Sequence, residues 1–346
     1  MPVLNELDYL ETAVASVLQQ EVPGASELIL ALGPSSDGTT ELAERIAAAD
    51  PRVRVVYNPQ AHIPVGLNLA IRASKHPIIV RVDAHSELAP GYTVQAIETL
   101  HRTGAANVGG IMHAQGRNPF QRAAAWAYNS RVGLGGGAYH GGDEEQEAES
   151  AYLGVMRREA IESVGLFDES VRRGEDWELN LRLRQAGFRV WFDPALSVTY
   201  WPRESPLRLA RQFRATGTWR GELVRRYGRS NSIRFFAPPL LFVALIIAVA
   251  VAIAQMTGLF SGPWLLWSSI VYVPLALYVL LIAATACVPD AGAHAVRRGL
   301  RGRLWTLAVL PTMHLSWGCG FLIGVMHGAH DTVDASRLGT RNTPLP

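Results

Sequence analysis

Two rhythms of apolar residues alternate along the first half of the chain. Leu10, Ala13, Val14, Val17 and Leu18 recur at the spacing of one helix face. Leu28–Leu32 is a short unbroken apolar run, as in a strand buried on both faces. Asp37-Gly38-Thr39 then turns the chain into a helical pattern over residues 40–49. A strand pattern follows at Val53–Tyr57, a helix at 65–73 and a strand at 78–82. Strand alternating with helix predicts an α/β fold with a doubly wound, mostly parallel sheet. The pattern continues with a helix at 92–102, a strand at 108–112, a helix at 120–131 and a glycine-rich loop at 133–142. A strand at 152–155 and a helix at 176–186, stopped by Gly187, complete the region.

Beyond residue 234 the pattern changes. No Asp, Glu, Lys or Arg occurs from 235 to 289. One crossing helix needs about 20 residues, so this stretch predicts two spans, at 238–256 and 264–287, with a turn at 257–263. A second uncharged run, 304–330, is long enough for a third, although Pro311, His314 and several glycines interrupt it. Cys287 and Cys319 lie in these apolar segments and are expected to pack rather than to pair.

Charge sharpens this division. The net charge is only +2, yet residues 1–202 carry 17 basic and 25 acidic side chains, net −8. Residues 203–235 hold nine arginines against Glu204 and Glu222, net +7, and the remainder is net +3. A nucleic-acid binder would spread basic charge over its folded domain, whereas this block precedes an uncharged segment like a collar facing a membrane. Ser205-Pro206 suits a helix start. Leu209, Phe213, Leu223, Val224 and Tyr227 lie among the arginines. Gly217 is expected to divide the block into two short amphipathic interfacial helices. Arg297, Arg298, Arg301 and Arg303 between spans two and three mark a cytoplasmic loop. The collar and the N-terminal region then share the cytoplasmic side, and three spans put the tail outside. The first residues lack the charged and apolar regions of a signal peptide. The expected organisation is a catalytic domain at 1–204, interfacial helices at 205–235, a membrane region at 236–330 and a tail at 331–346.

The chain has 31 arginines and one lysine, Lys75. Lys75 precedes His76, so no P-loop of the Gly-Lys-Ser/Thr kind exists, and Schiff-base chemistry would rest on Lys75 alone. In sheets of this kind ligands bind beyond the carboxyl ends of the strands. Asp37 and Asp83-Ala84-His85 fall there. Gly133-Leu134-Gly135-Gly136 follows a helix, so it is no dinucleotide fingerprint.

Asp83 and His85, two apart, point the same way if the strand end stays extended. A carboxylate and an imidazole so placed share a divalent ion whose other positions go to water and phosphate oxygens. A capping aspartate beside an exposed histidine has the same sequence. Glu175-Asp176-Trp177-Glu178 opens a helix, where acidic residues also suit the dipole. Glu175 and Asp176 are about 100° apart around a helix, which rules out a facing carboxylate pair of the glycosidase type. Either would act as a lone base. Asp37 equally fits a turn and cap.

Pro2-Val3-Leu4-Asn5-Glu6, Ser36-Asp37-Gly38-Thr39, Asp83-Ala84-His85, Gly165-Leu166-Phe167-Asp168-Glu169 and Glu175-Asp176-Trp177-Glu178 occur in that order. Together, over about residues 1–230, they resemble the family 2 glycosyltransferases with the GT-A fold. The likeness is strongest to membrane-anchored enzymes of the succinoglycan glucosyltransferase type. The resemblance implies that Pro2, Asn5, Glu6 and Asp37 line the base and ribose of a nucleotide sugar, a UDP-sugar, with Asp83 on its diphosphate. Asp83 and His85 would match the Asp-x-Asp motif and hold Mn²⁺ or Mg²⁺. Asp176 would match the catalytic base. Glu175, Trp177, Arg203, Gln212, Trp219 and Arg220 become candidates for the acceptor side or the interface. Gln212, Trp219 and Arg220 resemble the Gln-x-x-Arg-Trp motif of processive synthases, but the spacing differs, which counts against processivity.

His85 replaces the usual second aspartate. The family also has an apolar strand just before Pro2-Val3-Leu4, so a central strand is expected to be mostly missing here, with the true start lying upstream or the strand supplied by something unseen. The implied function is an inverting transfer of sugar from a nucleotide sugar to a lipid-linked acceptor in polysaccharide or cell-envelope glycan synthesis. The enzyme would sit in the inner (plasma) membrane, crossing it several times. The loop at 133–142 and the acidic stretch 143–149 would close over the site. The alternatives are transfer directly onto polyprenyl phosphate, or a non-catalytic membrane scaffold with a vestigial nucleotide-binding fold.

Overall fold

The computed structural model describes residues 1–134, 142–260, 262–290, 296–330 and 332. In chain order the elements begin with β1 (Pro2–Val3), α1 (Leu10–Leu18), β2 (Leu28–Leu32), α2 (Thr39–Ala49), β3 (Val53–Tyr57), α3 (Ile63–Ala73) and β4 (Ile78–Val80). There follow β5 (Glu87–Leu88), α4 (Tyr92–Thr103), β6 (Asn107–Ala114), α5 (Pro119–Tyr128), α6 (Arg131–Leu134) and β7 (Gln146–Glu147). Next are β8 (Val155–Arg157), α7 (Arg158–Ser163), α8 (Glu175–Gln185) and β9 (Val190–Tyr200). The chain ends in α9 (Pro206–Tyr227), α10 (Ala237–Met256), α11 (Pro263–Ser268), α12 (Val273–Cys287) and α13 (Gly299–His327).

Two compact units result. One comprises Met1–Ala114 with Asn129–Trp201; the other comprises Gln115–Tyr128 and the described residues from Pro202 to Thr332. In the first, β1, β2 and β3 form a parallel sheet in that order. β2 is buried along its whole length, as its unbroken apolar run predicts. β1 has only two residues, and the Met1 carbonyl extends its pairing by accepting the Ala31 amide at 2.8 Å. A cleft lined by Met1, Ile29, Ile78 and Val80 opens beside β4 of the second sheet.

The second sheet has the order β4-β8-β6-β9-β5, with β7 on β9, and is mixed. β8 runs antiparallel between β4 and β6, while β6 and β9 are parallel. Their register shifts between Gly109 and Ile111. Gly110 lies against the Leu196 backbone there, and a Cβ would collide with its carbonyl. Leu30, Leu100, Val108, Val155 and Leu196 are fully buried in one core, and Ile161, Leu179 and Leu183 in another.

Several expectations need correction. The strand expected at 152–155 starts only at Val155, because Leu153 and Gly154 adopt left-handed φ values of 56° and 51°. The strand expected to reach residue 82 ends at Val80, and the Asp83 carbonyl accepts the Ser86 amide in a turn. Asp83 and His85 therefore do not share a strand face. The helix at 120–131 stops at Tyr128, and α6 is a separate turn. Of the loop at 133–142, residues 135–141 lie outside the described residues, while Gly133 and Leu134 belong to α6. Within the acidic stretch, Gln146 and Glu147 pair with β9. β9 itself, eleven residues long, is an addition to the sequence reading.

In the second unit, α9 is one helix of 22 residues rather than two, started by Ser205, whose hydroxyl accepts the Arg208 amide. Gly217 does not break it because Gly217 and Gly221 dock on α13 at the backbones of Trp317 and Phe321. Reciprocally, Gly320 and Gly324 of α13 meet the carbonyls of Arg214 and Thr218. Small residues four apart let two helix backbones approach this closely. The glycines that make α13 look poorly suited to a span are thus its contact surface with α9. Its first turns pack on α5: Phe120 and Trp305 meet edge to face at 5.4 Å, and Arg298 stacks 4.0 Å over Trp126.

Three helices are long and apolar enough to cross a membrane: Ile233–Met256, Pro263–Cys287 and Gly299–His327. The first two form a hairpin tied near its turn, where Gln255 bonds the hydroxyls of Ser268 (2.8 Å) and Tyr272 (2.9 Å). Cys287 is exposed and Cys319 half-buried, both unpaired, so Cys287 does not pack as expected.

Candidate active site

The site of the first unit forms where β4 runs out and α8 begins. Gly174, at φ 79°, turns the chain into α8 so that Glu175 and Asp176 occupy its first turn. Neither carboxylate caps the helix, which removes the plain capping role for Asp176. Arg81, just past β4, is buried and reaches across to both. Its Nη2 donates to Glu175 Oε1 at 2.9 Å and to Asp83 Oδ1 at 3.2 Å, and its Nη1 donates to Asp176 Oδ1. A planar fork with five N–H donors suits such a bridge better than an ammonium. Although they are about 100° apart on the helix, Glu175 and Asp176 therefore converge on one guanidinium.

Burial pushes the Asp176 carboxyl up to about 7; Arg81 pulls against this, and Glu175 and Asp83 add to the rise. The side chain keeps 28% of its surface accessible, so the base remains within reach. Burial opposes the charge on Arg81, but Asp176, Asp83 and Glu175 outweigh it and hold the guanidinium charged. Three carboxylates around one cation leave the cluster net negative.

His85 faces a different partner. Its Nδ1 lies 2.9 Å from Oε1 of buried Glu6, which leaves Nε2 as the second ring nitrogen. The Glu6 amide donates to the Thr39 hydroxyl at 2.9 Å. Asn5 adopts φ 53°, donates its amide to Ser35 Oγ at 3.0 Å and accepts the Ser36 amide at 2.9 Å. Asp37 accepts the Thr39 amide at 3.0 Å, the Thr39 hydroxyl and the Leu7 amide. Burial works against its ionisation, yet these bonds, led by the Thr39 hydroxyl, hold its carboxyl below the usual range. The loops after β1 and β2 are thus bonded to each other. Pro2 lies in β1, and Trp177 is buried in α8.

The remaining candidates belong to the second unit. Arg203 is buried, Gln212 accepts the Tyr128 hydroxyl at 3.2 Å, and Arg220 stacks 4.0 Å from the Phe235 ring centroid. Trp219 donates to the Thr332 carbonyl at 3.2 Å. Sequence reasoning missed Arg81, one arginine among 31, and the pairing of Glu6 with His85, which are 79 residues apart. The Arg-x-Asp spacing at the end of an apolar strand was the available signal for the first.

Among the described residues, no group of three or more His, Cys, Asp or Glu converges as a metal site. Asp83 supplies a hard oxygen, and the Glu6 bond to Nδ1 orients the His85 ring. Two such ligands suit a Mn²⁺ or Mg²⁺ ion that completes its shell with diphosphate oxygens and water.

Comparison with known proteins bears on the family and the fold. The profile of Glycosyl transferase family 2 matches residues 1–165. Succinoglycan biosynthesis protein ExoA of Rhizobium meliloti (strain 1021) is 31% identical over 325 residues, covering 93% of this chain and 92% of the relative. A dolichyl N-acetyl-alpha-D-glucosaminyl phosphate 3-beta-D-2,3-diacetamido-2,3-dideoxy-beta-D-glucuronosyltransferase of Methanococcus voltae is 24% identical, covering 72% of this chain and 80% of its own. Mannosyltransferase PcManGT from Pyrobaculum calidifontis, solved with GDP-Man and Mn²⁺, superposes with a TM-score of 0.59 at 18% identity. That alignment covers 93% of this chain and 85% of the mannosyltransferase, and it supports the GT-A fold. With ordered motifs, fold and 31% identity to a succinoglycan protein over nearly the whole length all in agreement, this chain belongs to glycosyl transferase family 2.

Proposed function

We propose that the protein is an inverting glycosyltransferase that moves a sugar from a nucleotide sugar to a lipid-linked acceptor at the cytoplasmic face of the inner membrane. The observation that carries this is the bridge through Arg81, which brings Asp83 at a strand end and Asp176 at a helix start to one point. Asn5 and Asp37, on mutually bonded loops, would line base and ribose, with Pro2 in the adjoining strand. Asp83 and the Nε2 of His85 would hold Mn²⁺ or Mg²⁺, which when bound offsets negative charge on the departing diphosphate. Asp176 takes the proton of the acceptor hydroxyl as its oxygen bonds to the anomeric carbon. The bond from that carbon to the diphosphate breaks on the opposite face, and the nucleoside diphosphate leaves. Arg81 fixes Asp176 relative to Asp83, and Glu175 anchors Arg81. Arg203, Gln212, Trp219 and Arg220 stay candidates for the acceptor side or the interface.

The test is to incubate membranes holding the protein with labelled UDP- and GDP-sugars and extract the lipid. One labelled glycolipid, formed with one donor, is expected, with a UDP-sugar as the donor. A product on bare polyprenyl phosphate selects the alternative acceptor. Absence of both transfer and donor hydrolysis selects a scaffold.

The role of Glu6 predicts a separate result. Glu6→Gln weakens the acceptor that orients His85, so Mn²⁺ affinity in the presence of nucleoside diphosphate falls about 10–100-fold. Electron paramagnetic resonance of free Mn²⁺ measures this without turnover, and unchanged affinity refutes the role.

A further inference from the structure

The third apolar helix, α13, has the length of a span, but both of its ends meet the same side of the hairpin. The turn between the first two spans is marked by Gln255 with Ser268 and Tyr272. From there the first span runs about 27 Å, at 1.5 Å per residue, to a foot near Ala237, and α12 runs about 22 Å to a foot near Cys287. α13 begins beside the second foot. Arg298, at its start, donates to the carbonyls of Thr285 (3.1 Å) and Val288 (2.7 Å) and to Thr306 (3.4 Å). A helix crossing from there would end near the turn.

Its second half instead meets the first foot. Trp317 stacks on Phe235 with centroids 6.3 Å apart, Phe321 meets Phe236 at 5.5 Å, and Gly318 lies against the Pro238 backbone and Phe242. Between these ends, His314 bonds the Tyr278 hydroxyl at 2.9 Å. Past the helix, the Thr332 carbonyl is held by Trp219 of α9. α9 itself lies backbone to backbone with the last turns of α13 and carries exposed Arg208, Arg211, Arg214 and Arg225. If α13 crossed, it would draw these arginines into hydrocarbon, where charged side chains are expensive.

We propose that α13 does not cross the membrane: it starts and finishes on the side where the feet of a two-span hairpin lie, and only its middle reaches toward Tyr278. Residues after it then lie on the same side as α9 and the N-terminal region. Leu300, Leu304 and Leu307, exposed along one stripe of its first turns, provide the face that meets the acyl-chain boundary. This inference is independent of the reaction proposed above, and its test needs no activity.

In a background of Cys287→Ser and Cys319→Ala, single cysteines replace Lys75, Leu259 and His330 in the full chain. An impermeant maleimide is applied to sealed vesicles of known orientation. Lys75→Cys and His330→Cys should react from one side and Leu259→Cys from the other. Reaction of His330→Cys together with Leu259→Cys overturns the proposal, as does reaction of all three from one side. If the double replacement does not fold, the unaltered chain is fused at its C-terminus to green fluorescent protein or to alkaline phosphatase, and likewise at its N-terminus. Matching readouts at both ends support the proposal, and opposite ones overturn it.

Discussion

Replacing Asp176 with asparagine will lower glycosyl transfer by about two to four orders of magnitude, the usual worth of a general base. Asparagine keeps the shape but accepts no proton from the acceptor. Because Asp176 does not cap α8, and Arg81 retains Asp83 and Glu175, the fold should be little disturbed. Nucleoside diphosphate binding, followed by calorimetry, should stay within a few-fold of the parent. The pH profile supplies a second readout. Burial raises the Asp176 carboxyl to about 7, and the base works only when ionised. In the parent, kcat/KM therefore rises with pH up to about 7 and levels off above it, because this ratio reports the free enzyme. That limb should vanish in Asp176→Asn. Near-parental activity in the variant would remove Asp176 from the mechanism.

The second large effect is expected at Asp83. Alanine removes the hard oxygen ligand while Arg81 keeps its two helix partners. The parent should bind nucleoside diphosphate at least about tenfold more tightly with Mn²⁺ than without it. In Asp83→Ala the ratio should fall close to one, and transfer should drop by at least about a hundredfold, the scale of losing one preorganised electrostatic contact. A preserved Mn²⁺ effect would place the ion elsewhere. Because both titrations are done without acceptor, they separate donor binding from proton transfer, which the Asp176 variant addresses.

Local order explains which parts of this molecule were legible. β2 and β3 have the bounds the apolar runs predict, and α2 and α3 differ by a residue or two, because each element declares its own period over five to eleven residues. β9 was not legible because Asp193-Pro194 interrupts an otherwise alternating strand and reads as a turn. Asp193 is in fact buried and accepts the Thr99 hydroxyl at 2.7 Å, a bond across 94 residues. Gly217 misled for a related reason: by propensity it weakens a helix, but its neighbour across the interface lies a hundred residues away. The same limit applies at the site. Asp83, His85 and Asp176 were visible as motifs, while Arg81 and the Glu6–His85 bond exist only as long-range geometry.

The glycine-lined seam between α9 and α13 also governs how the polypeptide can be trimmed. α9 leaves the ribosome long before its partner, so Leu209, Phe213, Trp219 and Leu223 wait uncovered until the hairpin and α13 have been synthesised. A fragment ended ahead of the first apolar span would keep that sticky face permanently and is a candidate for proteolysis or clumping. Cutting before Ser205 removes α9 but still retains α5, whose Phe120 and Trp126 rest on Trp305 and Arg298. No simple truncation therefore frees a clean soluble enzyme, and detergent or nanodisc preparations of the whole polypeptide are the practical route to its kinetics.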